Sequence, residues 1–114
     1  MSKTQMLKGN VAVLILAAVS KDPAHGYAIA QSISEASEGY FEMKEGTLYA
    51  HLHELERDGL LASKWDTASG RPRRYYNITE KGLKKLATQR KEWNAFSTGM
   101  NKALNALSPQ TGEA

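Results

Sequence analysis

Between Leu83 and Leu107, residues recur at alternating steps of three and four: Leu83, Leu86, Arg90, Trp93, Ser97, Met100, Leu104 and Leu107. That spacing keeps one stripe of an α-helix in register, as in the seam of a coiled coil. Thr79 is a residue type that caps helix starts, and nothing stops the helix before Ser108-Pro109. We therefore predict one helix ending at Leu107, about 28 residues and some 42 Å long. The chain has 114 residues, one domain's worth. The part that precedes the helix is too small to cover such a rod, so a second copy of the chain is its natural cover. The apolar segment near the N-terminus is the candidate to pack beside it.

Upstream, the pattern predicts three shorter helices and two strands. The first helix is expected over Thr4–Ser20, with its Leu and Val content buried on most sides. Pro23 and Gly26 punctuate the loop after it. His25–Ala36 has Tyr27, Ile29, Ala30 and Ile33 at helical spacing, and Gly39 lies beyond its end. A third helix is expected from Glu45 to about Asp58, closed by Gly59 in the left-handed conformation that commonly ends helices. "LLASKWD" and "RRYYNIT" read as two strands joined by the small-residue turn "TASGRP", an antiparallel hairpin. The expected fold is mainly α with a small antiparallel β-hairpin. That is a winged helix-turn-helix over residues 1–78, a dimerisation helix over 79–107 and a flexible tail over 108–114.

Composition excludes several chemistries. There is no cysteine, so disulfides and thiolate metal sites are ruled out. His51 and His53 are two apart and diverge on a helix, which is no metal-ligand pattern. We expect no metal and no cofactor. An enzyme has little support: no nucleophile stands at helix-compatible spacing from those histidines, and Glu54 and Glu56 diverge. The apolar run "VAVLILAAV" is far shorter than the roughly 20 residues of a membrane span, and its approach lacks a cleavage context for a secretory signal. We expect a cytoplasmic protein with no membrane partner.

The net charge is +3, a mild lean towards anionic partners, but the distribution is uneven. Seven of the twelve acids lie between Glu35 and Asp58. From Lys64 to Lys91 the chain is basic, opposed there only by Asp66 and Glu80.

The third helix points to the partner. With residues placed 100° apart, Leu52 and Leu55 fall within about 40° of Leu48. The opposite stripe holds Gly46, Ala50, His53 and Arg57, flanked by Thr47 and Tyr49. It begins small, becomes polar and contains no acid. A helix that enters the DNA major groove needs this arrangement, with close approach first and base- or phosphate-reaching groups beyond. An ordinary amphipathic helix with a solvated face has much the same look. The hairpin tip shifts the balance. Arg71 and Arg73 stand on a flexible turn with Arg74 near it, where arginines contact phosphate or enter the minor groove.

Taken together, "HGYAIAQSI", "EGTLYAHLHELERDGLL", "GRPRRYYNITEKG" and Trp93 resemble the PadR family of winged helix-turn-helix transcriptional regulators, in its short subclass with one C-terminal helix. The resemblance runs roughly from Leu7 to Leu107. It implies a homodimer on double-stranded DNA with a palindromic operator, most often as a repressor. Thr47, Tyr49, Ala50 and His53 match recognition-helix positions, and Arg71 and Arg73 match wing positions. Tyr27 matches a tyrosine near the DNA backbone, with a core aromatic as the alternative. Lys44, at the helix start, is grouped with these candidate DNA contacts. Ala50 departs from the family, since many members carry proline there.

Arg90 and Ser97 interrupt the seam on either side of Trp93, which favours a hollow or wet place over a dry zipper. The chain is similar to family members that bind flat aromatic drugs between paired tryptophans. Trp93 falls at the matching position, and Met6, Val13, Ala17 and Ser97 match other lining positions. Arg90 stands where such a member has an aromatic residue, which speaks against a flat cationic ligand and leaves an anionic or polar one open; the resemblance itself implies a small aromatic effector. The plainer alternative makes Trp93 a dimer-core residue. For the whole chain, the alternative to a DNA-binding regulator is a winged-helix module that docks other proteins.

Overall fold

The computed structural model describes residues 2–68 and 70–108. Its elements are α1 (Lys3–Leu7), α2 (Val11–Ala18), β1 (Ala24–His25), α3 (Gly26–Ala36), α4 (Glu45–Arg57), β2 (Leu61–Asp66), β3 (Arg73–Ile78) and α5 (Glu80–Leu107). The three strands form one antiparallel sheet in the order β1-β3-β2. Of the tail expected over 108–114, all but Ser108 lies outside the described residues.

The core is apolar and continuous. Ile15 and Leu16 of α2, Ile29 of α3, Leu52 of α4 and Leu61 of β2 are fully buried, with Tyr76 of β3 packed among them. Burial pushes the Tyr76 phenol above its usual pKa, Arg74 opposes that shift, and Glu56 and Tyr49 add to it. The Leu48, Leu52 and Leu55 stripe read from the sequence is the buried face of α4. The α4 helix stops at Gly59, whose φ is +78°. The Gly59 amide donates to the Glu56 carbonyl at 3.0 Å, and the Leu60 amide donates to the Leu55 carbonyl at 2.9 Å. This pair of bonds satisfies carbonyls the helix would otherwise leave open, and it requires a left-handed residue at Gly59.

The single helix expected over Thr4–Ser20 is two helices. Lys8, Gly9 and Asn10 separate them, with Gly9 at φ +90° and the Asn10 amide donating to the Leu7 carbonyl at 2.8 Å. Glycine and asparagine are poor helix formers that favour turns, and here that local preference outweighs the apolar pattern on either side. The consequence is spatial: α1 leaves the line of α2. The Lys3 ammonium donates to the Tyr40 carbonyl at 2.6 Å and lies 4.2 Å from the centre of the Tyr40 ring. This contact ties α1 to the segment between α3 and α4.

The strand β1 was absent from the sequence reading. It spans two residues and pairs Ala24 with Tyr76 and His25 with Tyr75. The hairpin itself is as expected, with Leu61 opposite Ile78 and Asp66 opposite Arg73.

The long helix also follows the sequence. The Thr79 hydroxyl caps it, accepting from the Gly82 amide at 3.0 Å and donating to the Gly59 carbonyl at 2.7 Å. The Lys81 ammonium adds a bond to the Asp58 carbonyl at 2.9 Å. The end of α4 and the start of α5 are thus latched together. Gly82 and Leu86 are the buried residues of α5, so its first two turns belong to the core of the winged unit. Beyond them Trp93, Phe96, Met100, Leu104 and Leu107 are exposed. Among the described residues no helix is long and apolar enough to cross a membrane.

Candidate nucleic-acid interface

The α3 and α4 helices are joined by an ordered turn. The Ser37 hydroxyl donates to the Ile33 carbonyl at 2.9 Å and accepts from the Phe41 amide at 3.0 Å, which holds the chain as it leaves α3. The start of α4 is open. Lys44 stands at its cap position with no side-chain cap bond, and Glu45, Gly46 and Thr47 are exposed. No heavy atom would come within 4 Å of a side chain at Gly46. A helix start of this kind presents free amides and the positive end of the helix dipole.

Thr47, Ala50 and His53 lie exposed on α4, as the helical wheel requires. Tyr49 differs from them. It is half-buried, with its ring seated on Gly26 and 6.4 Å from the His53 ring. A methyl group at Gly26 would sit 2.5 Å from the Tyr49 hydroxyl, so the glycine is what admits the ring. Arg57 lies at the far end of the stripe, 3.9 Å from Glu54, and both side chains are well exposed. Such a pair contributes little to stability.

The wing arginines divide into two groups. Arg71 and Arg73 are exposed near the tip. Arg74 is turned back onto the domain. Its Nε donates to the Ser63 hydroxyl at 2.8 Å, and its Nη2 lies 3.9 Å from Glu56 Oε2. Its guanidinium stands 5.3 Å from the centre of the Trp65 ring. The Ser63 hydroxyl in turn donates to Glu56 at 2.6 Å. Arg74 therefore braces the wing against α4, which fixes the angle between them. Tyr27 is 71% exposed at the start of α3, so it is not a core aromatic.

His25 is the residue that sequence reasoning passed over. It caps α3, with Nδ1 accepting from the Ala28 amide at 3.3 Å, and its Nε2 lies 3.0 Å from Arg73 Nη1. Its position immediately before Gly26-Tyr27 was visible, but histidine is not among the usual capping residues.

The candidate effector residues are only partly gathered. Met6, Val13 and Trp93 line a cleft of about 370 Å³, together with Lys3, Leu7, Asn10, Leu14, Tyr40 and Phe41. Ala17 lines a separate groove between α2 and α3. Arg90 and Ser97 lie on α5 on either side of Trp93 in sequence and line neither, and the Ser97 hydroxyl donates to the Asn94 carbonyl at 3.3 Å. Gln89 borders a neighbouring cleft that shares Asn10, Val13 and Trp93, and its Oε1 is buried with no hydrogen-bond partner among the described residues. Among the described residues no group of three potential ligands could hold a metal ion.

A helix pair with an open second helix, a braced two-stranded wing and a long trailing helix define a winged helix-turn-helix protein. Comparison with known proteins makes this specific. Residues 15–88 match the Transcriptional regulator PadR-like family, and the chain belongs to that family. It is 39% identical over 77 residues to Transcriptional regulator Rv3488 of Mycobacterium tuberculosis, covering 68% of this chain and 69% of that one. Among solved structures it is similar to a PadR family transcriptional regulator from Eggerthella lenta, with TM-score 0.78 and 33% identity over 89% of this chain and 87% of that one. A transcriptional regulator from Clostridium thermocellum gives TM-score 0.80 at 28% identity, covering 86% of this chain and 96% of that one. The family consists of transcriptional regulators, not enzymes.

Proposed function

We propose that the protein is a homodimeric repressor that binds a palindromic operator in double-stranded DNA and is released by a small aromatic effector. The carrying observation is an exposed α4 start with no side-chain cap, followed by the outward stripe of Gly46, Ala50 and His53, together with a wing that Arg74 braces against α4. Thr47, Ala50 and His53 read base edges, with Tyr49 shaping the face from behind. Lys44, Tyr27, Arg71 and Arg73 hold phosphates. Residues 1–78 act as the reading head and 79–107 as the dimerisation helix, in the cytoplasm where the DNA is. Two heads joined through α5 would reach successive major-groove turns about 34 Å apart.

The latch between Asp58-Gly59 and Thr79-Lys81 gives the regulation a physical route. Any change in how two α5 helices pair is carried to α4, so a ligand that prefers one pairing shifts the spacing of the heads. The cleft beside Trp93 is where such a ligand sits, with Met6 and Val13 on its apolar wall and Arg90 and Ser97 along the seam. An effector with a hydrogen-bond donor would satisfy Gln89 Oε1.

Two experiments test this reading. Replacing Arg71 and Arg73 together by Ala should weaken binding to any duplex and reduce the slope of log affinity against log salt by about 3.6 when both heads of a dimer are engaged, since four phosphate contacts are lost. An unchanged slope would remove the wing from the interface. Flat aromatic compounds should quench the tryptophan fluorescence of the wild-type protein and leave that of Trp93→Ala unaltered. Undiminished quenching in the variant would take Trp93 out of the pocket.

A further inference from the structure

A neutral imidazole has one nitrogen that accepts and one that donates. At His25 both nitrogens face donors, the Ala28 amide at Nδ1 and Arg73 Nη1 at Nε2. The first contact is the half-buried cap of α3, and the second is exposed. With Nδ1 accepting in the cap, Nε2 carries the hydrogen and meets the guanidinium donor to donor. The neutral ring can accept from one of these donors at a time: accepting at Nε2 gives up the cap of α3, and accepting at Nδ1 leaves Arg73 facing an N–H. An oxygen accepting from both groups resolves this conflict, and the two donors are already 3.0 Å apart on the open side of the contact.

The surroundings say which oxygen. His25 is paired to Tyr75 of the wing, and its neighbour Gly26 receives Tyr49 of α4. The conflict therefore lies where the wing, the start of α3 and the recognition helix meet. Tyr27 is stacked on the His25 ring at 6.4 Å and adds an exposed phenol to the same rim. A nucleic-acid backbone lying between groove-reading helix and wing passes this point, and its phosphates offer several acceptor lone pairs each.

We propose that His25 Nε2 and Arg73 jointly clamp one DNA backbone phosphate, with Tyr27 on the rim, at the junction of recognition helix and wing. The clamp rests on the reading of the chain as a duplex-DNA-binding protein. It makes His25 a phosphate ligand as well as a helix cap, and it fixes the register of the wing to that of α4.

His25→Asn separates the two roles. Asparagine is among the best capping residues, so α3 keeps its cap while the distal N–H is lost. Affinity for a random-sequence duplex, long enough for both heads of a dimer, is measured for the wild-type protein, His25→Asn, Arg73→Gln and the double variant. Each single change should weaken binding about tenfold, and the double should lose clearly less than the product because both groups act on one phosphate. Wild-type-like affinity in His25→Asn overturns the clamp, and so do losses that simply multiply. Thermal melts of the free proteins check that the cap survives, and His25→Ser serves as a second cap-preserving variant for the same measurement. A wild-type protein that fails to bind the duplex removes the DNA reading and the clamp together, whereas the first two outcomes sink only the clamp.

Discussion

Replacing Met100 and Leu104 together by Glu should leave the protein folded but monomeric, and lower its affinity for an operator about a thousandfold. Both residues lie on the three-four seam and are about half exposed, 46% and 52%. They are far from the core, which α5 enters only through its first two turns. The change therefore removes nothing the domain needs for its own folding. It places like charges at the centre of the proposed dimer contact, where desolvating them is costly. Without the contact each head binds alone, and the gain from tethering two modules is lost. Sedimentation velocity and a binding titration on the same sample check both halves of the prediction. A variant that stays dimeric would place the dimer contact elsewhere.

The second large effect concerns Gly82. A Cβ there would overlap the Leu60 carbonyl oxygen and lie 2.7 Å from Ile78 Cγ1. In an open helix position, glycine to alanine stabilises by about 1 kcal/mol. At Gly82 the overlap is with main chain, which cannot swing aside, so the clash wins. We expect Gly82→Ala to cost about 3 kcal/mol of unfolding free energy in urea titration. That is a large share of the roughly 5–15 kcal/mol that holds a domain together. Gly99→Ala is the control, since nothing lies within 4 Å of its added methyl group. It lies off the seam and should gain about 1 kcal/mol. A neutral result at Gly82 would mean that α5 can slide on the latch, and the proposed coupling from α5 to α4 would fail with it.

The parts of this fold that were legible in the sequence are those with a repeating physical signal. The leucine stripe of α4 ending at Gly59, the paired β-favouring runs and the seam of α5 each repeat often enough to outweigh local noise. What was missed depends on single residues or on contacts distant in sequence. The break at Lys8-Gly9-Asn10 rests on one glycine at φ +90° ahead of the apolar run that starts at Val11, and a single residue carries no period. A two-residue strand such as Ala24–His25 has no period at all. The tie from Lys3 to Tyr40 and the inward turn of Arg74 join residues that only the folded chain brings together. The candidate DNA contacts on α4 were readable because a helical wheel separates outward from inward. Even so, the wheel could not say that Tyr49 lies back against Gly26. The candidate effector residues were the least readable. They came from a resemblance, and within one chain Met6, Val13 and Trp93 share a cleft that Ala17, Arg90 and Ser97 do not line.

The account is tested most directly by letting the full-length wild-type protein select duplexes from a randomised DNA library. Enrichment of an inverted repeat, with half-site centres one helical turn or a whole multiple of it apart, is the predicted result. Recovery of no preferred sequence after repeated rounds would contradict it and favour a winged helix that docks other proteins.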